Sequence, residues 1–249
     1  MNIKIVSFNI EYGASVNKGY FDYVAKLWKY VLPHDNKAVW YISDVINKED
    51  VDIATFMEMD GGSYRTRNIN YMNVVSQLTE LKNNIFYPVR HMWFGLTNQG
   101  NGIATKYTVL SVQNLKLKTN KFIGENRYLS ISKVDINGKI IHVLTTQLAL
   151  GHFSRSDELR QISEYIKNIK GPVIFTGDLN TQQEGELKIL EDTNLKRIDT
   201  PKTFPSWNPK RRIDYIFHSP DFEVVNSKVL EELKVSDHLP LIAELKLKH

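Results

Sequence analysis

Three runs after residue 84, GIATKYTVLSVQNLKL, RYLSISKVDI and KIIHVLTTQL, alternate apolar with polar residues. That period of two predicts antiparallel strands with one face on a core. Asn137-Gly138 lies between the last two runs and predicts a two-residue hairpin turn. A chain committed to so many neighbouring strands must build a mostly antiparallel or mixed sheet system.

The rest of the chain adds helices to that system. IKIVSFNI and DIATFME read as buried strands, while YFDYVAKLWKYV, AVWYISDVINKE and MNVVSQLTEL space their apolar residues at three and four, the helical period. DELRQISEYIKNI is an amphipathic helix with Ser154 or Ser156 as its N-cap, ended by Gly171-Pro172. VIFTG, RIDYIFHS, FEVVNSKVL and LIAELKLK return to strand. No internal repeat or Pro/Gly/Ser linker interrupts the 249 residues. The expected fold class is therefore α+β: a four-layer α/β/β/α sandwich of two packed sheets flanked by helices, formed as a single domain over residues 1–249.

Composition removes some chemistry. Without cysteine there is no disulfide framework, zinc–thiolate site or thiol nucleophile. No window approaches the ~18 apolar residues of a membrane span, and MNIKIVSFNI lacks the layout of a secretory signal, so the expectation is a cytoplasmic, soluble monomer. A net charge of +4 is compatible with nucleic acid or an anionic lipid surface as partner.

Several apolar strands end in groups that are costly inside a core and useful at a rim. Asn9 and Glu11 follow the first strand, Glu58 closes the second, IFTGDLN delivers Asp178 and Asn180, and VSDHLPL delivers Asp237 and His238. Singly, GDLN reads first as a turn and SDHLP as a cap or pre-proline loop. Asp214 lies inside an apolar strand pattern and must pair, with His238 the natural candidate. Asp178 and Asn180 are two apart on an extended segment, which predicts that both project to one side. A carboxylate there can hold and deprotonate a water, the amide can orient it, and Gly177 leaves the backbone room to turn.

In order, SFNIEYG, FMEMDGGSYRTR, NGIATKY, LTTQLALG, FTGDLN, RRIDYIF and SDHLP resemble the stations of the endonuclease/exonuclease/phosphatase superfamily of metal-dependent phosphoesterases, over almost the whole chain. The resemblance implies Mg²⁺ or Mn²⁺ held mainly by Glu58, with Asn9 and Asp237 close by. It also implies an Asp214–His238 pair that sets a protonated imidazole against the transition state. The chain departs from the family at Thr146-Gln147-Leu148, where many members have a histidine. Gln147 can donate a hydrogen bond but carries no charge, so the change implies weaker stabilisation, a different substrate, or neutrality. His142 falls on the opposite strand face from Gln147, and His152 can approach only from the following loop.

Arg65 and Arg67 are candidates for bidentate phosphate contacts, against the alternative of plain surface. Trp93 and Phe94 are expected in the core, with a stacking or lipid-dipping loop as the alternative. The function expected first is a nuclease acting on DNA or RNA, including DNA repair. A sphingomyelinase-like lipid or small-molecule phosphoesterase is the alternative, and a catalytically weakened binding module the third.

Overall fold

The computed structural model describes residues 1–91, 93–118 and 126–248. The elements run β1 (Asn2–Asn9), α1 (Tyr20–Ala25), α2 (Lys37–Lys48), β2 (Ile53–Asp60), α3 (Tyr71–Leu78), β3 (Asn83–His91), β4 (Asn98–Thr105), β5 (Thr108–Leu117), β6 (Arg127–Ile136) and β7 (Lys139–Gln147). They continue as α4 (His152–Lys167), β8 (Val173–Asp178), α5 (Glu184–Glu191), β9 (Lys196–Arg197), β10 (Asp214–His218), β11 (Phe222–Val229) and β12 (Leu241–Leu247).

One six-stranded sheet has the order β11-β12-β1-β2-β4-β3 and the other β5-β6-β7-β8-β10-β9. The pairs β1–β2 and β7–β8 are parallel, and the remaining neighbours antiparallel. The inner faces meet through Ile5, Ile53 and Ile103 from the first sheet and Val143, Ile174 and Ile216 from the second. Outside the first sheet, Phe8 and Phe56 pack with Ile42 of α2 and Val75 of α3. Outside the second, Phe175 and Phe217 pack with Leu159 of α4 and Leu187 of α5. The mixed four-layer sandwich is thus present, and central strands covered on both faces account for near-continuous apolar runs such as VIFTG.

Local departures from the sequence expectations have physical reasons. The alternating run GIATKYTVLSVQNLKL is two strands, β4 and β5, which belong to different sheets because the chain turns at Lys106-Tyr107. β3 was not foreseen, since NNIFYPVRH carries a proline and little alternation; as an edge strand it tolerates Pro88. Gly151, not Ser154 or Ser156, caps α4. Ser156 lies one turn inside and donates instead to Glu186 Oε1 at 3.1 Å. Phe94 is fully exposed rather than in the core; the side chain of Trp93 lies outside the described residues. Asn137 and Gly138 both have positive φ (54° and 83°), as the expected hairpin turn requires.

Gly177 has a different reason from the one its neighbours suggest. It lies within β8, and a Cβ there would stand 2.3 Å from the Thr146 carbonyl oxygen of β7. The close approach of two parallel strands, not a turn, excludes a side chain. Gly177→Ala is expected to destabilise the fold by about 1–3 kcal/mol through forced strand separation, read from the denaturant midpoint; an unchanged midpoint would mean the strands give way freely.

Candidate active site

The C-terminal ends of β1, β2, β7 and β8 and the N-terminal end of β10 meet at one edge of the sandwich. Strand register does most of the positioning. Asp178, the last residue of β8, is the direct neighbour of Gln147 on β7 and of Asp214 on β10, and such neighbours stand close enough for their side chains to interact. Across the sheets, Asn9 Nδ2 donates to Asp178 Oδ2 at 3.1 Å and to Glu58 Oε1 at 3.2 Å, joining the ends of β1, β2 and β8.

Glu58 reaches this cluster through a bulge. The β2–β4 register shifts between Phe56 and Met59, and Glu58 itself has φ 56°. A bulge with a left-handed non-glycine residue is a costly backbone that re-aims one side chain at a sheet rim. Burial, and next the charge of Asp237, push the Glu58 carboxyl upward, while hydrogen bonds from Gln147 and Asn9 oppose the shift. Gln147 Nε2 donates to Glu58 Oε1, and Gln147 Oε1 accepts from Arg127 at 2.9 Å. Arg127 therefore fixes which end of the amide faces Glu58, so Gln147 positions a carboxylate.

The second cluster is a chain of proton-holding groups. His238 Nδ1 lies 2.8 Å from Asp214 Oδ2, and Thr203 donates to that oxygen at 2.5 Å. His238 Nε2 faces Asp178 Oδ2 at 3.8 Å and Asp237 Oδ1 at 4.0 Å. Burial favours the neutral imidazole, yet Asp214, then Asp237 and Asp178, outweigh it and hold His238 well above the ordinary histidine range. Asp178 is pushed up to about 7, by burial first, with His238 opposing and Asp214 adding to the rise. The expected pairing of Asp214 with His238 is in place.

Asn180 departs from its expected geometry. The chain leaves the strand directly after Asp178, and Asn180 has φ 52°. Its N–H donates to Asp178 Oδ1 at 3.1 Å, and its Nδ2 to the Leu148 carbonyl at 2.9 Å. The aspartate side chain caps its own turn, so Asp178 meets the backbone of Asn180, whose side chain is held by Leu148 instead of projecting beside it as extended spacing predicts.

The arginine expectation is corrected for Arg65. Its side chain is wholly buried, with Nε 2.7 Å from Asp60 Oδ2 and the guanidinium 4.3 Å from the Tyr12 ring centre. It neutralises a buried carboxylate and cannot reach a substrate. Arg67, exposed, follows a 3₁₀ turn and lines a hollow with Trp40, Tyr41 and Ile69, apart from the carboxylate cluster. His142 bonds through its backbone to Pro172, and His152 Nδ1 pairs with Glu186 at 2.7 Å, so neither joins the site.

Three groups join the site without a sequence assignment. Glu11, two residues past Asn9, is buried and is pushed up to about 9 by burial, then Asp237, with Tyr30 and the Val16 N–H opposing. Tyr30 donates to Glu11 Oε1 at 2.5 Å, and Tyr23 to Asp237 Oδ2 at 2.6 Å. Position beside Asn9 was a signal for Glu11; tyrosines on a short helix offer none.

The cluster fits a hard cation. Burial, and then the charge of Asp237, raise the proton affinity of both Glu11 and Glu58, as expected of oxygen donors gathered without enough positive charge. Asp178, Asp214 and His238 also have ligand atoms within 4.8 Å of one another. There, however, the Nδ1 side of the imidazole and both Asp214 oxygens are already engaged. The group around Glu58 offers oxygen donors alone, the set that suits a hard cation.

Two packed mixed sheets, helices outside and this rim of carboxylates beside a histidine–aspartate pair define a deoxyribonuclease I-like sandwich built for phosphoester chemistry. Residues 6–238 match the model of the Endonuclease/Exonuclease/phosphatase family. The chain belongs to that family of metal-dependent phosphoesterase hydrolases. No curated protein matches it in sequence. A Bacteroides vulgatus endonuclease/exonuclease/phosphatase superposes with a TM-score of 0.74 at 19% identity, covering 100% of both chains. Bacteroides thetaiotaomicron mannosyl-6-phosphatase gives 0.75 at 17%, over 98% of this chain and 100% of its own. TDP2 of D. rerio, complexed with single strand DNA product, gives 0.70 at 15%, over 98% and 99%. At these identities the likeness carries the fold and leaves the substrate open.

Proposed function

We propose that this protein is a divalent-metal-dependent phosphodiester hydrolase whose first substrate class is nucleic acid. The observation that carries the reading is Asp178, lodged between Asn9, the Asn180 N–H and the cationic face of His238. In this reading Asp178 takes a proton from the attacking water while Asn180 orients it. His238, kept protonated by Asp214, places positive charge against the pentacovalent transition state. Glu58 and Asp237, with Asn9 between the carboxylates, are the residues that would hold Mg²⁺ or Mn²⁺. The ion would neutralise phosphate oxygen charge.

A groove beside Glu58 and Gln147 is lined by Arg90, Arg127, Tyr12 and Asn101. Guanidinium, phenol and amide groups suit a polyanion with stacked or hydroxylated neighbours. A lipid or small phosphoester is the second reading, favoured by the exposed apolar face of α1, whose Tyr23 bonds Asp237.

A substrate panel separates them: single-stranded, nicked and abasic DNA, RNA, sphingomyelin, inositol phosphates and a bis-aryl phosphodiester, each with Mg²⁺ or Mn²⁺. Cleavage of lipid and of no polynucleotide would replace the first reading with the second. Gln147→Ala, which frees Glu58 from its Arg127-anchored partner, is expected to weaken Mn²⁺ binding about tenfold by isothermal titration, as loss of a ligand's supporting hydrogen bond does. Unaltered Mn²⁺ affinity would remove Gln147 from the metal site.

A further inference from the structure

The outer face of residues 20–32 is apolar and takes no part in the chemistry above. Phe21 is 90% exposed, Val24 76%, Leu27 66%, Leu32 49% and Trp28 47%. Residues 21 and 24 lie in α1, 27 and 28 in the 3₁₀ turn Leu27–Tyr30 that follows Lys26, and 31 and 32 directly after it. The opposite face is anchored: Tyr23 and Tyr30 bond Asp237 and Glu11, and the rings of Tyr20 and Tyr23 meet Trp207 edge-on at 5.4 and 6.1 Å. The apolar face is thus held outward by the site itself, and a contiguous exposed face of this kind marks a surface of interaction.

The charges around it identify the partner. Asp22 and Lys26 cancel in an ion pair at 2.8 Å, and Asp22 also accepts the Asn17 and Lys18 N–H groups. Lys37 likewise lies 3.9 Å from Asp35, which leaves Lys18 and Lys29 on the same stretch of chain. Aromatic and aliphatic tips bordered by lysines suit the boundary between acyl chains and anionic headgroups, where each lysine near the surface adds attraction and its stem lies along apolar groups. A second copy packed on the same face would set these lysines against their own counterparts. Among the described residues no helix is long and apolar enough to cross a membrane, so such an attachment would be peripheral.

We propose that residues 20–32 dock the protein on the surface of an anionic lipid bilayer. Because Tyr23 and Tyr30 on the opposite face tie this segment to Asp237 and Glu11, docking also holds the carboxylate cluster behind the segment, close to the membrane. The inference goes beyond the hydrolase reading and is tested without turnover.

The test is co-sedimentation of the full chain with phosphatidylcholine vesicles, with and without phosphatidylserine, beside the variant F21S/V24S/L27S. The expected result is binding to the mixed vesicles that weakens with salt, and a loss of at least about tenfold in partitioning for the variant, since the three side chains forfeit apolar burial. The circular dichroism and thermal midpoint of the two proteins should coincide, which shows that the variant is folded. Absence of wild-type binding to mixed vesicles, equal binding by the variant, or a wild-type dimer that the variant dissociates without any vesicle binding would overturn the proposal. Vesicle binding with no turnover of any phosphoester would leave docking supported and refute the hydrolase reading alone.

Discussion

His238→Ala is expected to lower kcat by about 10²–10³-fold, the usual cost of removing one preorganised charge from a transition state. The imidazole is buried, locked at 2.8 Å to Asp214 and packed at 4.9 Å against the ring of Phe204. Its charge is therefore in place before substrate arrives and needs no reorganisation. Because that charge matters most where the phosphorane forms, the loss should fall on kcat more than on KM. Steady-state kinetics with a bis-aryl phosphodiester, on protein whose circular dichroism matches the parent, makes the measurement. A near-normal kcat would mean that the Asp214–His238 pair is structural.

Asp178→Asn should cost about 10²–10⁴-fold in kcat, because an amide of the same shape cannot accept a proton from water. The substitution keeps the shape of the side chain but sets its N–H₂ against the Asn9 Nδ2 donor, which now bonds Asp178 Oδ2 at 3.1 Å. A carboxamide keeps an oxygen for the Asn180 N–H, which now rests on Asp178 Oδ1 at 3.1 Å. It also relieves a carboxyl already pushed up to about 7 by burial. Stability is expected to fall by only about 1–2 kcal/mol while activity collapses, a combination that separates a catalytic carboxylate from a structural one. If base and cation act on one transition state, the double variant should be far less impaired than the product of the single losses. Multiplicative losses would mean that the two groups act in different steps.

The sheets were legible because alternation and the Asn137-Gly138 turn depend on local pattern alone. So was the Asp214–His238 pair, since a carboxylate inside an apolar strand demands a partner wherever the chain goes; Asp178, read singly, was a turn residue. What was not legible depends on contacts between distant segments. Arg65 looked like a phosphate ligand in GGSYRTR, yet it serves a buried Asp60 five residues earlier. Gly177 looked like a turn residue and instead admits the Thr146 carbonyl of the neighbouring strand. Asn180 shares a site with Asp178 through a capped turn that spacing could not show. Glu11 became a site residue only when α1 and the turn after it set Tyr23 and Tyr30 over the carboxylates. Gln147, a departure from the family in sequence, acquires a specific task through Arg127, a residue twenty positions away on the adjacent strand.

The central claim is that this rim of carboxylates hydrolyses phosphodiesters with a bound divalent cation. The direct measurement is turnover of a bis-aryl phosphodiester by the purified protein with Mg²⁺ or Mn²⁺, before and after EDTA, beside Asp178→Asn. The account predicts turnover that EDTA abolishes, that added metal restores, and that Asp178→Asn lacks; turnover indifferent to EDTA, or equal in the variant, would contradict it.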